Sequence, residues 1–352
     1  MSTVVDALGP DGFGTYSVEW AAGQPVFTKV SLPPDHLLVP GFVDIHIHGA
    51  YGIDFMSATK DQMVDLCGEL EKLGYEAFLP TTVTAPPQDV KSALENLPSH
   101  PLIAGFHLEG PFISDKHPGA QPPEHIVSPA DGLEDWDEIL DDDRLKVVTL
   151  APETPSALEL TTRLTQNGVV VSMGHTDATF EQARRGFEFG AAHTTHTYNA
   201  MRGLHHREAG AVGYALINEA LRCELIYDRL HVSPEAAELL FRCKPPGGVI
   251  AVSDSTMATA MEPGQRINMW GNDCITEVGE VRLASNGALA GSAITLLDAF
   301  RNIFEDFGPE RAIRACSLNP RDALRFTEPP KVYLEMDGNL DIIGRKVVQG
   351  AV

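Results

Sequence analysis

The chain has 352 residues, with 26 Lys and Arg against 49 Asp and Glu, and its formal charge of −23 repels nucleic-acid phosphates and anionic membrane surfaces at long range. Hydrophobic residues make up 43% and charged residues 21%, a globular composition that supports one large domain with at most a modest second one. The five cysteines, Cys67, Cys223, Cys243, Cys274 and Cys316, are odd in number and never spaced as CxxC, which argues against a disulfide framework or a thiolate zinc site. The first residues, MSTVVDALGP, lack a basic stretch followed by an apolar run, and nowhere do eighteen apolar residues follow one another. A cytoplasmic protein that contacts neither membrane nor nucleic acid is expected. An anionic substrate would require a local cationic trap to overcome the overall field.

Residues 1 to about 40 read as turns and short alternating strands, FGTYSVEW and PVFTKVSL. From there β-rich runs alternate with helical patterns. FVDIHIH (42 to 48) precedes a helix over 59 to 74, and AFLPTTVT (77 to 84), LIAGFHLEG (102 to 110) and KVVTLAPE (146 to 153) follow as strands. A helix over 155 to 168, a strand VVVSMGHT (169 to 176), a helix over 179 to 190 and a strand AAHTTHTY (191 to 198) continue the pattern. CELIYDRLHV (223 to 232), a helix over 233 to 243 and GVIAVSDS (248 to 255) complete eight strands. The tail KVYLEMDGNLDIIGRKVVQG is a strand, a turn at Asp337-Gly338 and a second strand. Eight strands alternating with helices imply a parallel sheet, and no GxGxxG follows the first strand as an open nucleotide-binding sheet would require. The polar residues gather instead at strand C-terminal ends, where a TIM-like (β/α)₈ barrel builds its active site. The expected architecture is an α/β barrel over residues 41–327, with residues 1–40 and 328–352 joined in one small β-sandwich domain.

Residues two apart in a strand share a face, so His46 and His48 point together into the barrel mouth; Asp44 is in the same register, and its alternative reading is a group behind them that orients a ligand or ends a hydrogen-bond network. An HxH pair alone is weak evidence for a metal. Glu109, His175 and His196 at three other strand ends add a carboxylate and two imidazoles, the mixed ligand set of a catalytic divalent ion with one position open. Each of them also has an ordinary alternative, such as a glutamate paired with arginine or a histidine satisfied by backbone. Asp254 closes the eighth strand and reads either as a helix N-cap or as a general base that takes a proton from water and returns it to a leaving group.

At these residues the sequence resembles the amidohydrolase superfamily, and within it the N-acetylglucosamine-6-phosphate deacetylases. PGFVDIHIHG, HLEGPF, GHTDA, THTYNAM, HREAGAVG, LIYDRLHV, VSDS and GALAGS carry the resemblance, in family order from residue 40 to about 292. The resemblance implies hydrolysis of the acetamide of N-acetylglucosamine 6-phosphate to acetate and glucosamine 6-phosphate, in amino-sugar catabolism and cell-wall sugar recycling. It implies Glu109, His175 and His196 as ligands of a principal metal and Asp254 as the acid/base. It further implies Asn199, Ala200, Arg207 and His231 as holders of the sugar phosphate, the first two partly through backbone N–H groups, and a homodimer. Some members lack the HxH pair and use one ion; this chain keeps His46 and His48, so one or two divalent ions are expected, zinc first, with iron, manganese and cobalt as alternatives. Gln121 stands where other members carry a histidine that polarises the acetyl carbonyl, and either a second metal or Gln121 as a neutral donor takes that role here. The rival readings are a ring-opening hydrolase or nucleobase deaminase of the same superfamily, and a catalytically silent sugar-phosphate sensor.

Overall fold

The computed structural model describes residues 2–348, so the last four residues of the expected terminal domain lie outside the described ones. Eight parallel strands form the central element: β1 (Phe42–Ile47), β2 (Tyr75–Pro80), β3 (Phe106–Glu109), β4 (Leu145–Leu150), β5 (Val170–Met173), β6 (His193–Thr194), β7 (Arg222–Ile226) and β8 (Val249–Val252). Strands β3 to β8 pair in sequence order, and β1 pairs with β2. Parallel bridges Phe78↔Ile103 and Thr81↔His107 join β2 to β3, and Ile47↔Ser255 joins β1 to the exit of β8, which closes the ring. The Asp254 N–H donates to the His46 carbonyl at 2.9 Å and the His48 N–H to the Ser255 carbonyl at 2.8 Å across that last seam.

Both faces of these strands are buried, which explains why they read as apolar runs rather than strict alternations. Val43, Ile45, Leu79, Val147, Ile226, Ile250 and Val252 fill the lower barrel interior as one cluster. Phe78, Leu108, Val148, Val171 and Leu225 belong to the larger cluster that also takes in the surrounding helices. The helix Lys60–Lys72 starts with a capping box between Thr59 and Gln62, and Phe180–Glu188 with one between Thr179 and Gln182, so the Thr signals in the sequence act as caps. Ser156 instead adopts a left-handed backbone at φ 62° and makes no side-chain cap bond.

Three expectations are corrected. Asp44 does not share a face with His46 and His48: the ladder of β1 shifts register between Asp44 and Ile47, so Val43, Ile45, His46 and His48 all reach the interior. Asp44 turns away, accepting the N–H groups of His46 and Ser253, both at 3.3 Å, and the Tyr75 hydroxyl at 3.4 Å. Burial raises its carboxyl to about 6. The sixth strand, expected over 191 to 198, keeps only His193–Thr194, because the chain turns left-handed at His196, Tyr198 and Ala200. Between β8 and the helix Leu296–Phe307 the chain builds a four-stranded antiparallel sheet, Arg266–Met269, Asn272–Glu277, Glu280–Leu283 and Leu289–Ser292, where the sequence reading placed no strands. Its own core is Met269, Cys274, Val281 and Ala290, too small to stand out as a hydrophobic run.

The two termini meet in one six-stranded ladder, in the order Ile342–Val347, Val332–Met336, His36–Pro40, Thr3–Gly9, Gly12–Ala21 and Gln24–Lys29. Val5, Tyr16, Val18, Leu38 and Tyr333 make a separate core beneath it. All five cysteines are free thiols. Among the described residues no helix is long and apolar enough to cross a membrane.

The seam below the barrel is tied by charge. Arg321, 5% exposed, pairs with Glu76 of β2 and donates to the Glu328 carbonyl, while Glu76 Oε2 accepts the Val332 N–H at 3.4 Å. Removing one partner strands the other charge. Arg321→Met is expected to destabilise the protein by about 3–5 kcal/mol, read as a lowered urea midpoint, and the double variant Arg321→Met with Glu76→Leu by much less.

Candidate metal centre

Three chain segments leave their strands through backbone conformations that L-residues avoid. His175 (φ 45°), His196 (φ 29°) and Asp254 (φ 47°) follow β5, β6 and β8, and each is left-handed. The surrounding fold must hold such residues in place, and in each case the turn aims a polar side chain at the barrel axis. At the end of β1, a Cβ on Gly49 would lie 2.0 Å from the Ile53 carbonyl oxygen, so only glycine fits directly after His48.

The buried side chains make two triangles. Glu109 Oε1 lies 3.2 Å from His175 Nε2 and 3.1 Å from His196 Nε2, and the two nitrogens are 3.1 Å apart. His46 Nε2 and His48 Nε2 are 3.3 Å apart, and Asp254 Oδ1 lies 3.4 Å from the first and 3.3 Å from the second. Glu109 connects them, with Oε1 3.4 Å from His46 Nε2 and Oε2 3.2 Å from His48 Nε2.

The donor set fits a divalent ion at each triangle. Bonds of ~2.0–2.1 Å at tetrahedral angles separate neighbouring ligand atoms by ~3.3–3.4 Å, close to every edge observed, and three donors leave the fourth corner open. Ring orientation agrees. His48 Nδ1 faces the Thr81 carbonyl (3.1 Å), His175 Nδ1 the His117 carbonyl (2.9 Å) and His46 Nδ1 Glu224 Oε2 (3.2 Å), so each of these rings can donate through Nδ1 and present the Nε2 lone pair to the centre. His196 Nδ1 is buried without a partner among the described residues, while its Nε2 faces the same centre.

Electrostatics point the same way. Burial opposes ionisation of Glu109, yet the charge of His46 and hydrogen bonds from His175 and His196 hold its carboxyl well below the usual range. Burial likewise opposes Asp254, but His46 and His48 draw it down to about 2. Burial works against the imidazolium form of His48, and the two carboxylates outweigh it, raising the ring to about 9; His46 is raised well above 6.5 in the same way. The cluster therefore demands positive charge at its heart, supplied by protons or by metal on the same Nε2 atoms. His107 contrasts with these. It spans the Ile45 carbonyl (3.0 Å) and Thr149 Oγ1 (2.8 Å), and burial pushes it well below 6.5 as a neutral structural ring beneath His46.

The remaining sequence candidates are placed unevenly. Gln121 is buried against Glu109, but its Nε2 donates to Glu109 Oε2 at 2.6 Å and its Oε1 accepts the Thr84 N–H at 2.7 Å. These two contacts make it a tether that orients the carboxylate. Asp254 is no helix N-cap, since a turn and the antiparallel insertion follow it. Asn199 sits on the left-handed turn, its N–H donating to the His196 carbonyl at 2.9 Å. Ala200 (φ 49°) lies near Gly119, which itself lies close to the His175 ring. His231 is held by Asp228, Nδ1 to Oδ2 at 2.6 Å, which raises it above 6.5 against the effect of burial. Arg207 is not brought to the cluster: it is exposed on the 203–207 loop, with Nη1 2.8 Å from His206 Nε2.

Sequence reading missed two residues. Glu224, an acid in the fully buried part of β7 between Cys223 and Leu225, signals itself as a charge where its strand neighbours are apolar. Trp270, at a left-handed turn of the insertion (φ 54°), packs on the His48 ring with centroids 5.1 Å apart and donates from Nε1 to Asp54 Oδ2 at 2.8 Å. Nothing in its local sequence places it there.

Because the His48 ring titrates at about 9, metal uptake at the triangle of His46, His48 and Asp254 must displace protons throughout the neutral range. Calorimetric titration with Zn²⁺ in buffers of different ionisation enthalpy is expected to show proton release at pH 7, and affinity weakening as the pH is lowered below about 9. A pH-independent affinity would contradict the assignment.

Residues 37–329 match the family model described as the amidohydrolase family. The chain is 35% identical over 318 residues to the N-acetylglucosamine-6-phosphate deacetylase of Lysinibacillus sphaericus, covering 87% of this chain and 81% of that protein. It is 36% identical over 311 residues to the N-acetylgalactosamine-6-phosphate deacetylase of Escherichia coli O157:H7, covering 85% and 81%. The crystal structure of N-acetylglucosamine-6-phosphate deacetylase from Thermotoga maritima superposes over the whole of both chains with a TM-score of 0.87 at 30% identity. The family model spans most of the chain and the relatives cover more than four fifths of it, and the chain belongs to the amidohydrolase family, in the branch of the N-acetylglucosamine-6-phosphate deacetylases.

Proposed function

We propose that this enzyme hydrolyses the acetamide of N-acetylglucosamine 6-phosphate, releasing acetate and glucosamine 6-phosphate. The observation that carries the reading is Asp254 directed at the same buried centre as four imidazole Nε2 atoms and Glu109. Divalent metal bound there supplies Lewis acidity toward an amide carbonyl and makes water more acidic. Glu109, His175 and His196 would hold one ion, and His46 and His48 a second, zinc being the first choice for this donor set. Asp254 accepts a proton as water forms its bond to the acetyl carbon, and it returns that proton to the nitrogen as the C–N bond breaks. The return is required because an amide anion is too basic to leave unassisted. Gln121 keeps Glu109 in position throughout.

For the phosphate, Ala200, Asn199 and His231 line the turn and loop beside the centre, and Asp228 orients His231 so that Nε2 is the donor it offers. Arg207 lies apart, on an exposed loop, which suits a homodimer in which a second subunit completes the anion trap. We read residues 1–40 and 328–352 as a small β domain, with the terminal ladder as its described part, and residues 41–327 as the catalytic barrel; the ladder's separate core supports the division. Free thiols suit a cytoplasmic setting. A second reading, N-acetylgalactosamine 6-phosphate as substrate, is favoured by the Escherichia coli relative, whose similarity is equal.

Acetate release from N-acetylglucosamine 6-phosphate, from its galactosamine epimer and from unphosphorylated N-acetylglucosamine decides between them, before and after chelation with Zn²⁺ or Mn²⁺ restored. Chelator-sensitive turnover confined to a phosphorylated sugar is expected, and no acetate from metal-loaded protein would overturn the proposal. Asp254→Asn is expected to lower kcat by about 10²–10⁴-fold with little change in KM. A near-normal rate would remove Asp254 from the proton path.

A further inference from the structure

Glu224 is wholly buried in β7, beneath both triangles, and belongs to neither. A carboxylate in such a place is retained only with strong partners. Its Oε2 is shared by two groups from opposite halves of the centre: His46 Nδ1 at 3.2 Å and the backbone N–H of His196 at 3.3 Å. Its main-chain carbonyl accepts the Thr197 N–H at 2.8 Å, so one residue engages two successive N–H groups of the left-handed turn that carries His196. Oε1 has no partner among the described residues.

The two attachments are not equally backed up. The turn at His196 is also held by the Asn199 N–H on the His196 carbonyl and by the Thr194 and Thr197 hydroxyls, 2.6 Å apart. His46 has no such reserve, because among the described residues Glu224 is the one partner of its Nδ1. That bond fixes the tautomer with the proton on Nδ1, aims the Nε2 lone pair at His48 and Asp254, and places a negative charge behind the ring that makes Nε2 a better donor to a cation.

We propose that Glu224 is a positioning residue for the second ion: through His46 it sets the occupancy of the half-site formed with His48 and Asp254, while the half-site of Glu109, His175 and His196 stands without its charge. The inference rests on the reading of the two triangles as metal half-sites. It assigns to an acid outside the ligand set the control of whether the enzyme works with one ion or two.

The test counts metal rather than turnover. Wild type, Glu224→Gln, Glu224→Leu, His46→Asn and the double variant Glu224→Gln with His46→Asn are loaded with Co²⁺ and challenged with graded chelator. Bound metal per subunit and the visible cobalt spectrum are followed at each step. Glutamine keeps the volume and one acceptor but not the charge, so Glu224→Gln is expected to hold one of the two ions about 10–100-fold more weakly and the other within about threefold. Glu224→Leu should behave as His46→Asn does, with one ion lost, and the double variant should show no loss beyond His46→Asn alone. Thermal melting of Glu224→Gln should stay within about 2 °C of wild type. Two ions held by Glu224→Gln as tightly as by wild type would overturn the proposal, as would equal weakening of both ions with a large fall in melting temperature, the mark of a purely structural residue. One ion in the wild type, unchanged in His46→Asn, would instead overturn the two-half-site reading itself and the inference with it.

Discussion

A single buried carboxylate, Glu109, sits within 3.4 Å of four imidazole nitrogens, and the rest of the molecule is arranged so that this is tolerable. A charge so deep is destabilising unless compensated. The compensation comes from β1, β5 and β6, so the strands must meet in one ring with their C-terminal ends level. A barrel meets that demand because its strand ends converge on one mouth. The left-handed exits at His175, His196 and Asp254 are the local consequence: the chain must leave each strand abruptly to turn a side chain inward.

The supporting contacts follow the same logic. Four of the groups that face the centre are oriented by something behind them: Gln121 behind Glu109, the Thr81 and His117 carbonyls behind His48 and His175, and Glu224 behind His46. These partners favour one tautomer for His46, His48 and His175 and hold the Glu109 carboxylate in place, so a cation meets a site that is already shaped. The antiparallel insertion contributes from outside the barrel, resting Trp270 on the His48 ring. An acidic protein of charge −23 can thus hold a concentrated cation site, while Arg207 stays on an exposed loop and His231 is held by Asp228.

The sequence by itself determined the eight alternations of strand and helix, the barrel they imply, and the polar residues at strand ends, since all of these are local: period, cap and position along a strand. The motifs carried the family for the same reason. Tertiary structure alone decided which of those residues meet. His46 and Glu224 are 178 residues apart, Gln121 reaches back 37 residues to Thr84, and Trp270 reaches 216 residues to Asp54, distances at which no periodicity informs. The register shift of β1 against β2 is a further case, because a strand's period puts Asp44 beside His46, whereas the structure turns it toward the Ser253 N–H beyond β8. The insertion sheet stayed hidden because its strands are four to six residues long and share a core of few side chains, so its stability comes from pairing and not from any run of sequence.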